Sequence, residues 1–325
     1  MKQKTFKLSA VFAVVLALGL LLTSCEWLKD KDKNKGEKLD VVASIFPCYD
    51  FARAVAGDKA DLSLLVKAGV DIHSYEPTLV DIAKVNSCDI FIYIGGESDT
   101  PWVERILANA EEDVTVVRLM DYVEAVEEEE KEGMQAEEEE GEEDGEEAEY
   151  DEHIWMSLSN AALLVDAIRD EMSELDSKNA AAYAENAAAY AAEIAALKTE
   201  FIKLVSASAL KTIVVADRFP FRYLTDELGL DYRAALPGCS HDADNIDLST
   251  QNYLIQFVKD NGVPCVFYVE AGSHALANTV AEAAGCQTAL LHSCERPTQA
   301  EFAEGASYVT YMRQNLASLA KGMRN

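Results

Sequence analysis

The chain has 325 residues, 49% of them hydrophobic, and its 28 Lys and Arg against 58 Asp and Glu give a formal charge of −30. A surface that acidic repels nucleic acid and anionic lipid, which excludes both as direct partners. The length accommodates two lobes, each with a sizeable core.

Lys2, Lys4 and Lys7 precede an apolar run over residues 8–22, and Leu22-Thr23-Ser24-Cys25 follows directly. The run is about 15 residues where a spanning helix needs roughly 20, so residues 1–24 are expected to be a signal peptide and not a membrane span. The small residues before Cys25 read as a bacterial lipoprotein cleavage box, with Cys25 the lipidated first residue of the mature protein. Residues 25–38 are charged and lack an apolar pattern, which predicts a flexible tether. The expected location is extracytoplasmic, lipid-anchored to a bacterial membrane.

Strands and helices then alternate. Apolar runs at 41–46, 62–66, 90–94 and 114–119 read as strands, with helices at 48–56, 77–85 and 102–108 between them. This defines a first lobe over 39–176. Within it, residues 124–152 hold eighteen acidic residues and one lysine in a glycine-dotted background, so 124–151 is expected to be a disordered insertion. Residues 177–206 are rich in alanine with no proline or glycine, which predicts a helix about 45 Å long with Ser177 at its N-cap. Alternation resumes over 207–325, with strands at 212–216, 232–236, 265–270 and 288–291 and helices at 223–228, 248–259, 275–284 and 301–319. The expected fold is α/β: two Rossmann-like lobes with parallel sheets, joined by one long rigid helix.

Six cysteines remain once Cys25 is assigned to lipid, and none forms a Cys-x-x-Cys pair. Six thiols outside the cytoplasm allow 15 disulfide pairings, among which sequence cannot choose. Cys88 and Cys265 sit in apolar runs and read as small buried side chains. Cys239 and Cys294 lie on turns, where a ligand or disulfide role stays open.

Only five histidines occur, and two of them stand in Asp-Ile-His-Ser-Tyr-Glu-Pro-Thr (71–78) and Asp-Glu-His-Ile-Trp-Met-Ser-Leu (151–158). Neutral imidazole is the commonest ligand for zinc and suits other borderline transition metals. Two such residues far apart in sequence, with no His-Glu-x-x-His helix, point to a metal site closed by the fold.

Those residues, with Val42-Ala43-Ser44-Ile45-Phe46-Pro47, Asp89-Ile90-Phe91-Ile92-Tyr93, Phe221-Arg222-Tyr223-Leu224 and Phe267-Tyr268-Val269-Glu270, resemble the metal-specific solute-binding lipoproteins of ABC importers, the zinc and manganese class. The resemblance covers nearly the whole mature chain. It implies two α/β lobes joined by a long helix, a metal in the cleft between them, and delivery to ABC permease subunits by a monomer tethered to the membrane through its N-terminal lipid. It also implies that acidic or histidine-rich insertions precede the second histidine motif, and here that insertion carries no histidine.

The expected ligands are His73 and His153. At the third position, where the family offers histidine or glutamate, the match places Arg218, whose guanidinium has no acceptor for a cation. At the fourth, usually aspartate, the turn Leu290-Leu291-His292-Ser293-Cys294 places His292. Glu270, at the end of an apolar strand, is expected to complete the set, with Cys239, His241 and Asp217 as alternatives. His274 is expected to cap a helix, and Glu76 to orient the His73 loop. Three imidazoles and one carboxylate favour Zn2+, with Mn2+ the alternative. An adhesin-like or metallochaperone lipoprotein on the same fold is an alternative function. A secreted zinc hydrolase would need a general base, for which Glu270 is the nominal candidate, but no other residue supports catalysis, so no enzyme is expected.

Overall fold

The computed structural model describes residues 38–108, 113–135, 149–240 and 245–323. The leader, Cys25, the tether up to residue 37 and His241 lie outside them.

The first sheet starts with β1 (Leu39–Ala43), whose valines are fully buried. Helix α1 (Phe46–Ala56) follows, with Pro47 in its first turn, where the missing N–H costs nothing. Strand β2 (Ala60–Leu64), helix α2 (Leu79–Ser87), strand β3 (Ile90–Tyr93), helix α3 (Thr100–Leu107) and strand β4 (Thr115–Arg118) complete the unit. Their order is β2-β1-β3-β4, all parallel, with Leu39 opposite Ala60, Val41 opposite Ile90 and Ile90 opposite Thr115. β1 and β3 are apolar on both faces because helices cover the sheet on both sides.

Two long helices come next. α4 (Leu158–Leu175) is capped by the Ser157 hydroxyl, which accepts the Asn160 N–H, and buries Leu158, Ala161, Leu164, Val165, Ile168 and Met172 at helical spacing. It is absent from the sequence-based element scheme although that spacing is present. α5 (Ala180–Ala207), close to the expected 177–206, is 28 residues or about 42 Å long. Its buried residues are Tyr183, Ala187, Ile194, Leu197, Phe201 and Val205.

The second sheet repeats the plan. β5 (Thr212–Arg218), α6 (Arg222–Leu228), β6 (Asp231–Leu236), α7 (Leu248–Asn261), β7 (Cys265–Tyr268), α8 (Ala275–Ala284) and β8 (Gln287–Leu290) give the parallel order β6-β5-β7-β8. The pairing of β5 with β6 shifts register between Val215 and Arg218, an irregularity that re-aims the strand end beside the cleft. The single helix expected over 301–319 is two, α9 (Gln299–Ala303) and α10 (Tyr308–Gly322), separated at Gly305, whose φ of 82° no helix tolerates.

A second, smaller hydrophobic core in the second lobe includes Val214, Leu236, Leu254, Val266 and Val280, and the main core runs across both lobes. Asp50 on α1 is its main polar tie: its carboxylate accepts the Tyr190 hydroxyl of α5 at 2.6 Å and the Tyr308 N–H of α10 at 2.8 Å, and pairs with Arg53. Trp155 is fully buried, and its indole N–H donates to the Ser293 carbonyl at 2.8 Å while the Tyr308 hydroxyl donates to its own carbonyl at 2.9 Å. A large side chain buried to this degree contributes about 1.5–3 kcal/mol.

The acidic insertion is more ordered at its edges than expected. Glu127 bridges Tyr150, the Gln135 N–H donates to the Ala235 carbonyl at 2.9 Å, and the Tyr223 hydroxyl accepts the Val126 N–H at 3.1 Å. Backbone pairing between 126–128 and 149–151, with bonds from Val126 and Gln135 to the second lobe, fixes these edges. Residues 136–148 lie outside the described residues.

Candidate metal centre

His73, Cys239, Glu270, His292 and Glu295 sit on loops beyond the carboxyl ends of β2, β6, β7 and β8, where open parallel sheets bind ligands. His73 follows β2 on a 3-10 turn, Ile72–Ser74. The Asp71 carboxylate accepts its backbone N–H at 3.1 Å, and its Nδ1 lies 2.7 Å from the Ser98 hydroxyl, which also bonds Glu152. His153 enters from the end of the acidic insertion. Asp151 Oδ1 accepts both its backbone N–H, at 2.7 Å, and its ring Nδ1–H, at 2.9 Å. With Nδ1 so engaged, Nε2 is the nitrogen that can take an ion.

The two imidazoles meet. Ligand atoms of His73, His153 and Glu295 all lie within 4.8 Å of one another. Zinc bonded to nitrogen and oxygen at about 2.0–2.2 Å holds its ligands roughly 3.3–3.5 Å apart, so closure onto an ion needs only small side-chain movements. Glu295 was missed by sequence reasoning. It stands three residues beyond His292 on the loop after β8.

A second set shares His153: ligand atoms of Glu152, His153 and Cys239 also lie within 4.8 Å of one another. Two glycines make room for it. A Cβ on Gly96 would stand 2.1 Å from Glu152 Oε2, and one on Gly238 would stand 3.1 Å from His153 Cε1. Cys239 and His73 both line an outer cavity of about 440 Å³, together with Glu76, Glu97, Glu128 and Glu149.

His292 is not part of this cluster, which corrects the expectation. It is 2% exposed, stacked on Tyr311 with ring centroids 3.8 Å apart, and its Nδ1 lies 3.1 Å from Glu270 Oε1. Glu270 lines the small cavity with His73, His153 and Glu295, yet its oxygens are already bonded to the Ser293 N–H at 2.8 Å, the Ser293 hydroxyl and His292. Ser293 Oγ in turn accepts the Glu295 N–H at 3.1 Å. Glu270 and His292 therefore brace the loop that carries Glu295, and neither extends the ligand cluster.

Of the alternatives, Asp217 accepts the Arg218 and Val269 N–H groups and ties β5 to the end of β7. His274 precedes α8 with a φ of 50° and packs its ring 4.2 Å from Tyr268. Glu76 lines the outer cavity. Arg218 faces the small cavity and lies 3.7 Å from Asp71, which Arg296 also holds at 2.7 Å.

The field is set by carboxylates. Burial, aided by neighbouring His153 and Arg218 against the pull of Glu152 and Asp71, drives the His73 pKa down to about 4. Burial also opposes charge on His153, but Asp151 outweighs it and lifts that pKa to about 9. Burial raises Glu295, partly offset by His153, and burial with Asp151 nearby raises Glu128 to about 7. For Glu270 burial is overcome by His292 and Ser293, which hold the carboxyl down at about 2.

Two α/β lobes with imidazoles and a carboxylate converging between them form the architecture of a two-lobe solute-binding protein. A family model described as ZnuA, zinc-uptake complex component A, periplasmic, matches residues 41–322, and the chain belongs to that family. It is 32% identical over 322 residues to the zinc-binding lipoprotein AdcA of Streptococcus pneumoniae, covering 96% of this chain and 60% of that protein. It is 29% identical over 317 residues to the high-affinity zinc uptake system protein ZnuA of Bacillus subtilis, covering 97% and 95%. The Zn(II)-bound ZnuA-like domain of S. pneumoniae AdcA superposes with a TM-score of 0.72 at 29% identity over 89% of this chain and 100% of that domain. The chain thus spans about 60% of the length of AdcA.

Proposed function

We propose that the protein captures one zinc ion between its lobes at His73, His153 and Glu295 and delivers it to an ABC permease. The observation that carries this reading is the meeting of those three ligand atoms, from three separate loops, within 4.8 Å. Two imidazoles with a carboxylate suit zinc and offer too few oxygens for calcium or magnesium. Membership of a zinc-uptake family and the zinc-binding names of its relatives support the same ion. Cys25, at the end of the leader, would anchor the protein by lipid; Cys25→Ser should release it from membranes into the medium or periplasm.

The test is elemental analysis of the purified soluble domain after zinc loading. Wild type should retain about one zinc, His73→Ala, His153→Ala and Glu295→Ala should each lose most of it, and His292→Ala, which loosens the loop without removing a donor, should retain more than Glu295→Ala. Wild-type protein that emerges without metal would refute the proposal. Loss in His292→Ala equal to that in Glu295→Ala would refute the ligand set.

A further inference from the structure

Resting on the zinc-capture reading, we infer that Cys239 is a thiolate ligand at an outer station for the same ion, formed with Glu152 and His153. Three observations carry this. The Cys239 sulfur, a His153 nitrogen and a Glu152 oxygen are mutually within 4.8 Å, so the cysteine belongs to a three-residue donor set and is not an isolated thiol. His153 belongs to both sets, so an ion bound outside is already attached to a ligand of the inner site. Cys239 and His73 line the same outer cavity of about 440 Å³ with Glu97, Glu128 and Glu149, which opens a route for a cation from solvent to sulfur.

The chemistry fits the departure at Arg218. A guanidinium cannot coordinate, so the inner set has only three protein donors among the described residues. A soft thiolate one step outward adds a donor that zinc accepts and manganese does not favour. Binding exchanges the S–H bond for a metal–sulfur bond and releases the proton through the cavity to water; no oxidant or reductant takes part. Glu152 is held for the task, since its carboxylate accepts the Ser98 N–H at 3.1 Å and Gly96 leaves space beside it. The Gly238–Cys239 turn is fixed by the Cys239 N–H, which donates to Glu128 at 3.3 Å.

Cobalt(II) provides the test, because thiolate coordination adds a sulfur-to-cobalt charge-transfer band in the near ultraviolet that nitrogen and oxygen ligands lack. Wild type, Cys239→Ser and Glu295→Ala would be titrated with cobalt under reducing conditions, with calorimetry counting bound ions. The expected result is a band in wild type, a band that persists in Glu295→Ala only at saturating cobalt, where the weakly held ion rests at the outer station, and none in Cys239→Ser, which still binds cobalt. Zinc-over-manganese preference in competition should fall about tenfold in Cys239→Ser. Cobalt bound by wild type without the band, or a band that survives in Cys239→Ser, would overturn this inference while leaving zinc capture intact. Failure of wild type to bind cobalt or zinc at all would overturn the capture reading itself.

Discussion

Asp151 grips His153 at two points, accepting its backbone N–H at 2.7 Å and its ring Nδ1–H at 2.9 Å through one carboxylate oxygen. Asp71 repeats the first of these bonds at His73, two residues on, at 3.1 Å. Each histidine's backbone is thus held by the aspartate of its own Asp-x-His segment, and the rings are oriented by Asp151 at His153 and by the Ser98 hydroxyl at His73. Asp151→Asn keeps the size and an acceptor but loses the charge that favours the Nδ1–H tautomer. Zinc affinity should fall about 10–100-fold, measured by competition against a chromogenic chelator. Affinity equal to wild type would show that the Asp151 bonds do not matter to ligation.

Zinc binding should release a proton near neutral pH. His153, lifted to about 9, carries its proton in the metal-free protein at pH 7, whereas His73, held at about 4, does not. An incoming ion must displace the His153 proton, so affinity should rise about tenfold per pH unit from about pH 5 to about pH 8. Calorimetry in buffers of different ionisation enthalpy counts the proton. An affinity unchanged between neutral pH and about pH 5 would contradict the histidine assignment.

The Glu270–His292 pair sets a limit on acid stability. The Glu270 carboxyl sits at about 2, below its ordinary 4.5, chiefly because His292 and Ser293 favour its charge against burial. A depressed carboxyl contributes stability that is present above the ordinary value and is lost as pH falls from 4.5 toward 2. The melting temperature of metal-free wild type should drop through that window, and Glu270→Gln should start lower and drop less. Parallel acid limbs in the two proteins would sink the idea.

Asp50 offers a stability change far from the metal. Replacing it with Asn keeps an oxygen for the Tyr190 hydroxyl and the Tyr308 N–H, which share Oδ2, but removes the charge and sets an amide N–H against the Arg53 guanidinium that Oδ1 now accepts. The expected cost is about 1–3 kcal/mol in urea unfolding, with zinc stoichiometry unchanged at saturation. A loss of bound zinc at saturation would mean that α1 and α10 position the ligands as well as the core.

The alternating apolar runs made both sheets readable, because buried parallel strands such as Ile90–Tyr93 leave near-continuous hydrophobic stretches. His73 and His153 were legible for a different reason: each is rare and stands in a distinctive segment. Glu295 was not. The loop after β8 offers His292, Glu295 and Arg296 within five residues, and bonds from Glu270 and Asn315, both distant in sequence, and from Ser293 within the folded loop turn His292 inward and Glu295 to the cleft. The order at 124–135 was hidden for a related reason, since its acidic composition resembles a solvated tail while its backbone bonds go to Ala235 and Tyr223.

Helix α10, the last element described, docks through Tyr308 onto Asp50 of α1, the first helix described. The amino-terminal lobe therefore lacks part of its own interior until α10 has been made. Splitting the molecule at α5 should yield two fragments that stay unfolded alone and regain structure only when mixed.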